Sequence, residues 1–238
     1  MSAATQAAAP ASPSRDCCPL VAVIGLAGGA GATSLAFALA VEAAAAGRPS
    51  LIAETADHGL REVGGAASPV GLYELPGLIE AGEWPPVFWA QVDGVRVLTS
   101  TAARRAEGSA DLGAVIAEAR RAHSLVVLDC GRDEPGLAAG RVTHTMYVAP
   151  ASATGLERAA RRLNGTRGRA RGRMILAVVA VHSAARPRAR DIRRLAESHC
   201  DTVVLAPHHP QLVTQPHEAH DLLRATACDL LSAITSSR

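Results

Sequence analysis

Short apolar runs alternate with stretches of good helix formers along most of the chain. Leu20 to Gly25 (LVAVIG) is continuously apolar and ends in glycine, the pattern of a strand buried on both faces. Leu26 to Thr33 is glycine-rich, and Ser34 to Ala46 (SLAFALAVEAAAA) predicts a helix that Gly47 stops. The chain thus opens strand, glycine loop, helix. Pro49 to Ala53 predicts a second strand, and Glu54 to Gly59 (ETADHG) its polar exit. Residues 64 to 86 are rich in Gly and Pro, with a short helix expected at Leu75 to Ala81.

Further strands are expected at Val95 to Leu98, Leu125 to Asp129, Met146 to Ala149, Met174 to His182 and Thr202 to Ala206. Helices are expected at Asp111 to His123, Gly155 to Leu163, Ala189 to His199 and Glu218 to Ile234. Strands alternating with helices imply right-handed crossovers, hence an α/β fold with a mostly parallel sheet and helices on both faces. No internal repeat and no boundary after residue 19 divides the chain. Residues 1–18 read as a disordered N-terminal arm and 19–238 as one domain, since the first 16 residues are Ala/Ser/Pro-rich without a signal-peptide pattern.

Composition sharpens this picture in four ways. Aromatics are only 3% of the 238 residues, so the core must be built from Ala, Val, Leu and Ile. The five cysteines are odd in number and lack CxxC spacing, which fits a reducing cytoplasm better than a disulfide framework or a zinc ribbon. No apolar run reaches the roughly 18 residues of a membrane span. Finally, all 24 basic residues are arginine, so any role that needs lysine is vacant or filled by a guanidinium of different shape and hydration.

The loop Gly25-Leu26-Ala27-Gly28-Gly29-Ala30-Gly31-Ala32-Thr33-Ser34 lies between a strand and a helix, where backbone N–H groups can form an anion nest. It resembles the deviant Walker A motif of the ParA/MinD family, KGGxGKT. Ala27 stands at the signature lysine and Ala32 at the Walker lysine; Thr33 matches the hydroxyl that holds Mg²⁺. Asp57 matches the later acid of the family's DxD motif, with Thr55 at the earlier one, and Asp129 closes its strand as a Walker B aspartate does. The resemblance implies a three-layer P-loop NTPase-like fold. It implies ATP held weakly by Gly28, Gly29, Ala30, Gly31, Ala32, Thr33 and Ser34, and Mg²⁺ by Thr33, Asp57 and Asp129. Asp57 is the one candidate for a catalytic role.

The order GGAGATS, GLYELPGLIEAGEWPP, VDGVRVLTS and HSLVVLDCGR resembles the CpaE-like branch of that family, which includes TadZ-type pilus-assembly proteins and septum-site-determining homologues. The resemblance spans roughly residues 20 to 235; the branch's receiver-like N-terminal domain has no counterpart among the residues that precede it. It implies a homodimer that recruits proteins of a secretion, pilus or division machinery, at the cell pole, septum or inner membrane face.

A lost charge-assisted contact costs roughly 1.5–3 kcal/mol, on the order of ten- to a hundredfold in affinity. Hydrolysis suffers more, since a cationic finger contact is worth roughly 10³–10⁵ in rate. The expectation is a catalytically weak or inactive pseudo-ATPase. Two alternatives stand beside it: an active ATPase that uses Arg61 or Arg132 in place of lysine, and a nucleotide-free structural subunit with a vestigial loop.

Other features are weighed against plain structural roles. Arg158, Arg161, Arg162, Arg167, Arg169, Arg171 and Arg173 fall in one acid-free stretch, and Arg186, Arg188, Arg190, Arg193 and Arg194 form a second cluster. Either is a patch for DNA, anionic lipid or an acidic partner, or a solvated surface. His208, His209, His217 and His220 read as polar loop residues ahead of a metal site. The closing helix carries Leu222, Leu223, Ala227, Leu230, Leu231 and Ile234 on one stripe with only Arg224 as a basic residue, which favours docking on its own core over binding membrane. Trp84, Phe88 and Trp89 either seal the core or face a partner.

Overall fold

Eight strands form one sheet in the order β3-β4-β2-β5-β1-β6-β7-β8. They are β1 Leu20–Gly25, β2 Ser50–Glu54, β3 Ala90–Val92, β4 Val95–Leu98, β5 Leu125–Asp129, β6 His144–Pro150, β7 Arg173–Val179 and β8 Thr202–Ala206. The computed structural model describes residues 18–55, 59–60, 63, 75, 90–99, 112–132, 142–166, 172–180, 190, 192, 200–214 and 218–236. Among the described residues five helices have bounds: α1 Ala32–Ala45, α2 Leu112–Ala122, α3 Ala153–Thr166, α4 Gln211–Thr214 and α5 Ala219–Thr235. Of the expected helices at Leu75 to Ala81 and Ala189 to His199, only Leu75, Arg190 and Ile192 are described, each helical.

All pairings are parallel except β3 with β4. That antiparallel strand was not expected from the sequence. Asp93 and Gly94 both take positive φ (49° and 78°), the backbone of a two-residue hairpin turn. The short strand Ala90–Val92 folds back through that turn and covers one edge of the parallel sheet.

The sheet divides the core in two. Val21, Val23, Ile52 and Val127 face α1 and α5, while Leu20, Ala22, Leu51 and Val126 face α2 and α3. Every residue of β1 is buried, as a strand covered on both faces requires. In α1 the nine residues Leu35 to Ala43 are all buried, because the helix lies between the sheet and α5. The closing helix therefore does dock on the domain's own core. Ala219, Leu223, Ala227, Leu230 and Ile234 are buried in the α1 cluster. Each large aliphatic side chain there contributes roughly 1.5–3 kcal/mol. No helix among the described residues is long and apolar enough to cross a membrane.

A polar cluster fixes α5 against α1. The Glu42 carboxylate accepts from Cys228 Sγ at 3.2 Å and His220 Nε2 at 3.3 Å, with Arg224 Nε at 3.4 Å. These partners, the Cys228 thiol first, hold Glu42 below the usual carboxylate range. His220 is thus a packing residue, and His208 Nδ1 lies 3.1 Å from the Ala180 carbonyl. Among the described residues no group of His, Cys, Asp or Glu has the arrangement of a metal site, and His217 lies outside them. Trp84, Phe88 and Trp89 also lie outside them.

The expected arm lies outside the described residues apart from its last position. Cys18, assigned to the arm by its sequence neighbours, is instead buried in the α2–α3 half of the core. Its carbonyl accepts from Arg120 Nε at 3.0 Å, and burial pushes its thiol up to about 11. The Cys18 thiol thus serves as a small apolar group of the core.

Two buried histidines make stability pH-dependent. His123 sets Nδ1 2.8 Å from the Ala119 carbonyl, and burial, with Arg96 nearby, lowers its pKa. Burial, then Arg173, does the same for His144, against a smaller opposing pull from Asp201. Both imidazoles are favoured neutral in the fold, while the unfolded chain protonates them near 6.5. Their stabilisation is full above that pH and is lost as pH falls below it. Urea unfolding is expected to show a lower midpoint at pH 5.5 than at pH 7.5. A variant with His123→Asn and His144→Asn is expected to flatten that slope; an unchanged slope contradicts the assignment.

Candidate functional site

The glycine loop is pinned where β1 ends. The Gly25 N–H donates to the Gly131 carbonyl beyond β5, and the Leu26 N–H donates to the Val148 carbonyl of β6 at 2.8 Å. This is the crevice at the carboxyl ends of the central strands, where the chain passes from one side of β1 to the other. Gly29 and Gly31 take φ of 69° and 82°, a region that costs an L-residue roughly 1–2 kcal/mol. Gly31 is the N-cap of α1, where no side chain caps the helix and no acid occupies the first turn. The positive end of the helix dipole therefore faces the loop cleft with no acid beside it in the first turn.

That cleft has a volume of about 360 Å³ and is lined by Gly25 and residues 27–34 with Gly59, Val63, Gly131, Arg132 and Leu212. A Cβ placed at Gly28 or Gly29 would meet nothing within 4 Å, so the cradle is open on the loop side. Backbone donors, an uncapped helix end and open space fit a phosphoryl group. All seven loop residues expected to hold nucleotide, Gly28 through Ser34, line this one cleft. The lysine positions Ala27 and Ala32 line it too, and bring only methyl groups.

The acids are placed unevenly. Asp129 is fully buried at the end of β5, and its Oδ1 accepts from the Gly131 N–H at 3.1 Å. Its carbonyl accepts from the Thr55 N–H at 2.9 Å and from Thr55 Oγ1 at 3.2 Å. Thr55, which replaces an acid in the resemblance, thus ties β2 to β5. Asp57 and Arg61 lie outside the described residues. Thr33 and Asp129 are the described residues that would hold magnesium.

One buried acid was missed. Glu54 was read as part of a polar strand exit, but it is the last residue of β2, 1% exposed and in register with Asp129. Its Oε1 accepts from the Leu60 N–H at 3.1 Å, so it anchors the chain that leaves β2 toward the cleft. Strand parity carried the signal: Glu54 is in phase with Ile52, which faces α1.

The described arginines of the stretch do not all lie together. Arg158, Arg161 and Arg162 lie on α3 beside the loop, lining a second cleft of about 390 Å³ with Ile24, Gly25, Leu26 and Arg132. Arg173 opens β7 in register with His144, whereas Gly25 is in register with Val148. Four strand residues, about 13 Å, separate the two levels. Helix and strand run in opposite senses, so the start of α3 and the start of β7 lie at opposite ends of the strands. Arg167, Arg169 and Arg171 lie outside the described residues.

A glycine cradle at the end of a central strand of a mostly parallel sheet, with helices on both faces, is the P-loop NTPase-like fold. Within that class the fold is that of the ParA/MinD ATPases. A ParA-family ATPase from Chlorobium tepidum superposes with a TM-score of 0.72 at 12% identity, covering 92% of this chain and 96% of that one. MinD in the MinC:MinD cell division complex of Aquifex aeolicus gives 0.70 at 13%, covering 90% and 95%. The septum site-determining protein MinD of Pyrococcus horikoshii, complexed with Mg-ADP, gives 0.67 at 15%, covering 92% and 99%. At these identities the likeness establishes the fold. No protein-family profile and no curated protein sequence matches the chain.

Proposed function

We propose that this chain is a ParA/MinD-like localisation or assembly factor of the CpaE/TadZ type. It binds ATP weakly, hydrolyses it slowly or not at all, and acts by dimerising and recruiting partner proteins in pilus assembly or septum positioning. The observation that carries the reading is a glycine cradle, open and built for phosphate, whose loop supplies no cation. Backbone donors support binding, whereas stabilising the charge of a transferring phosphoryl group needs cations placed around it. Magnesium, when bound, would neutralise phosphate charge, with Thr33, Asp129 and Asp57 as its holders. That the fold neighbours include a MinC:MinD complex and a Mg-ADP complex supports both partner recruitment and nucleotide binding.

A slow cycle turns the nucleotide from a timer into a latch. The dimer would persist as long as nucleotide is present, and partner exchange would set its lifetime. An active ATPase using arginine is the second reading, favoured by Arg132 in the wall of the loop cleft. The test combines the solution mass with and without Mg-ATP and a steady-state phosphate-release assay. A dimer with negligible turnover supports the first reading. Turnover well above that of Asp129→Ala supports the second.

A further inference from the structure

We propose that Arg132 and the α3 arginines Arg158, Arg161 and Arg162 form an anion site continuous with the glycine loop, which takes the polyphosphate chain of a nucleoside triphosphate. The proposal rests on the phosphate-cradle reading and deepens it by naming the cations the loop lacks.

The two clefts at the end of β1 share Gly25 and Arg132. Arg132 follows Gly131, whose N–H is held by Asp129 and whose carbonyl holds the loop through Gly25. Its backbone is therefore fixed against the start of the cradle, while its side chain is exposed. No described residue pairs with Arg132 or Arg158. Arg161 meets Glu157 at 3.5 Å, and both side chains are mostly exposed, so that pair is easily exchanged for a better anion.

The helix orients the other three guanidinium groups. Positions 158, 161 and 162 are spaced i, i+3, i+4 and share a face. The opposite face of α3, with Gly155, Leu156, Ala159 and Leu163, is buried on the sheet. Four like charges lining one cleft repel, and a bound anion removes that cost. Guanidinium forks match phosphate oxygens in pairs, and the cleft opens beside a nest suited to another phosphoryl group. A chain of linked phosphates spans both clefts; a single anion fills one.

Titration calorimetry of the full chain with sodium tripolyphosphate and with Mg-ATP tests the site. Arg132→Ala is expected to weaken both ligands roughly ten- to a hundredfold. A double Arg158→Ala, Arg161→Ala variant is expected to weaken tripolyphosphate about tenfold and to reduce the salt dependence of binding. Arg132→Lys is expected to restore part of the affinity. These side chains are exposed, and circular dichroism checks that each variant folds. Tripolyphosphate binding that needs Arg132, without an ATP-dependent dimer, upholds the site and defeats the scaffold reading. ATP binding and dimerisation unaffected by Arg132→Ala defeats the site and leaves the scaffold. No binding of either ligand defeats both. Loss of duplex DNA binding in the α3 variant with tripolyphosphate affinity unchanged overturns the polyphosphate assignment.

Discussion

Gly155→Ala is expected to cost about 3 kcal/mol of stability, the upper part of the range for overpacking a tight contact. A Cβ at Gly155 would lie 2.2 Å from the Pro150 carbonyl oxygen and 2.6 Å from Pro150 Cγ. Neither can yield cheaply. Pro150 closes β6, is in register with Val179 of β7, and directly precedes Ala151, whose N–H donates to the Val179 carbonyl at 2.7 Å. The relief left is for α3 to lift off the sheet, which exposes Leu156, Ala159 and Leu163. For a chain of this size the cost corresponds to roughly 6–12 °C in melting temperature. Gly165→Ala, on the same helix with nothing within 4 Å of its Cβ, serves as the control. There the Cβ meets open space, and alanine's better helix propensity makes the change neutral or mildly stabilising. Equal melting temperatures for the two variants would contradict the packing described here.

Ala32→Lys is expected to raise affinity for Mg-ATP roughly ten- to a hundredfold. Ala32 is the first residue of α1 and lines the loop cleft, so a lysine there starts at the cradle wall. A backbone nest already binds part of the phosphate charge, and an ammonium adds the charge-assisted contact that the methyl omits. Calorimetry checks this directly, and affinity in the variant should fall more steeply with salt. No gain in a folded variant would mean that the cleft does not receive phosphate at all.

Most of the fold and the heart of the site are legible in the sequence because they depend on local patterns. LVAVIG and LVVLD are strands of the bounds expected, since a strand buried on both faces leaves an unbroken apolar run. The loop residues share one cleft because glycine positions and the strand–helix junction dictate that locally. Three things were less legible. The strand Ala90–Val92 is only three residues long, too short to show a period, and the expected elements include a strand at Val95 to Leu98 but no turn at Asp93-Gly94. Glu54 looked like a surface acid because an acid at a strand end is ordinarily solvated, yet register sets it beside Asp129 under the loop. That Arg173 lies a strand's length from Arg158, Arg161 and Arg162 was not legible, because sequence distance conceals the reversal between α3 and β7. Arg132 was named in the sequence, with Arg61, as a stand-in for the missing lysines; that it lines one cleft with the α3 arginines is a tertiary fact.

The central claim is that nucleotide gates assembly without fast hydrolysis. Its most direct test is the solution mass of the full chain, by light scattering, with and without Mg-ATP, for the wild type and Thr33→Ala. The account predicts a dimer that forms with Mg-ATP, persists for hours without phosphate release, and is absent in Thr33→Ala. A mass that ignores millimolar nucleotide in both proteins would contradict it and make the loop a structural turn.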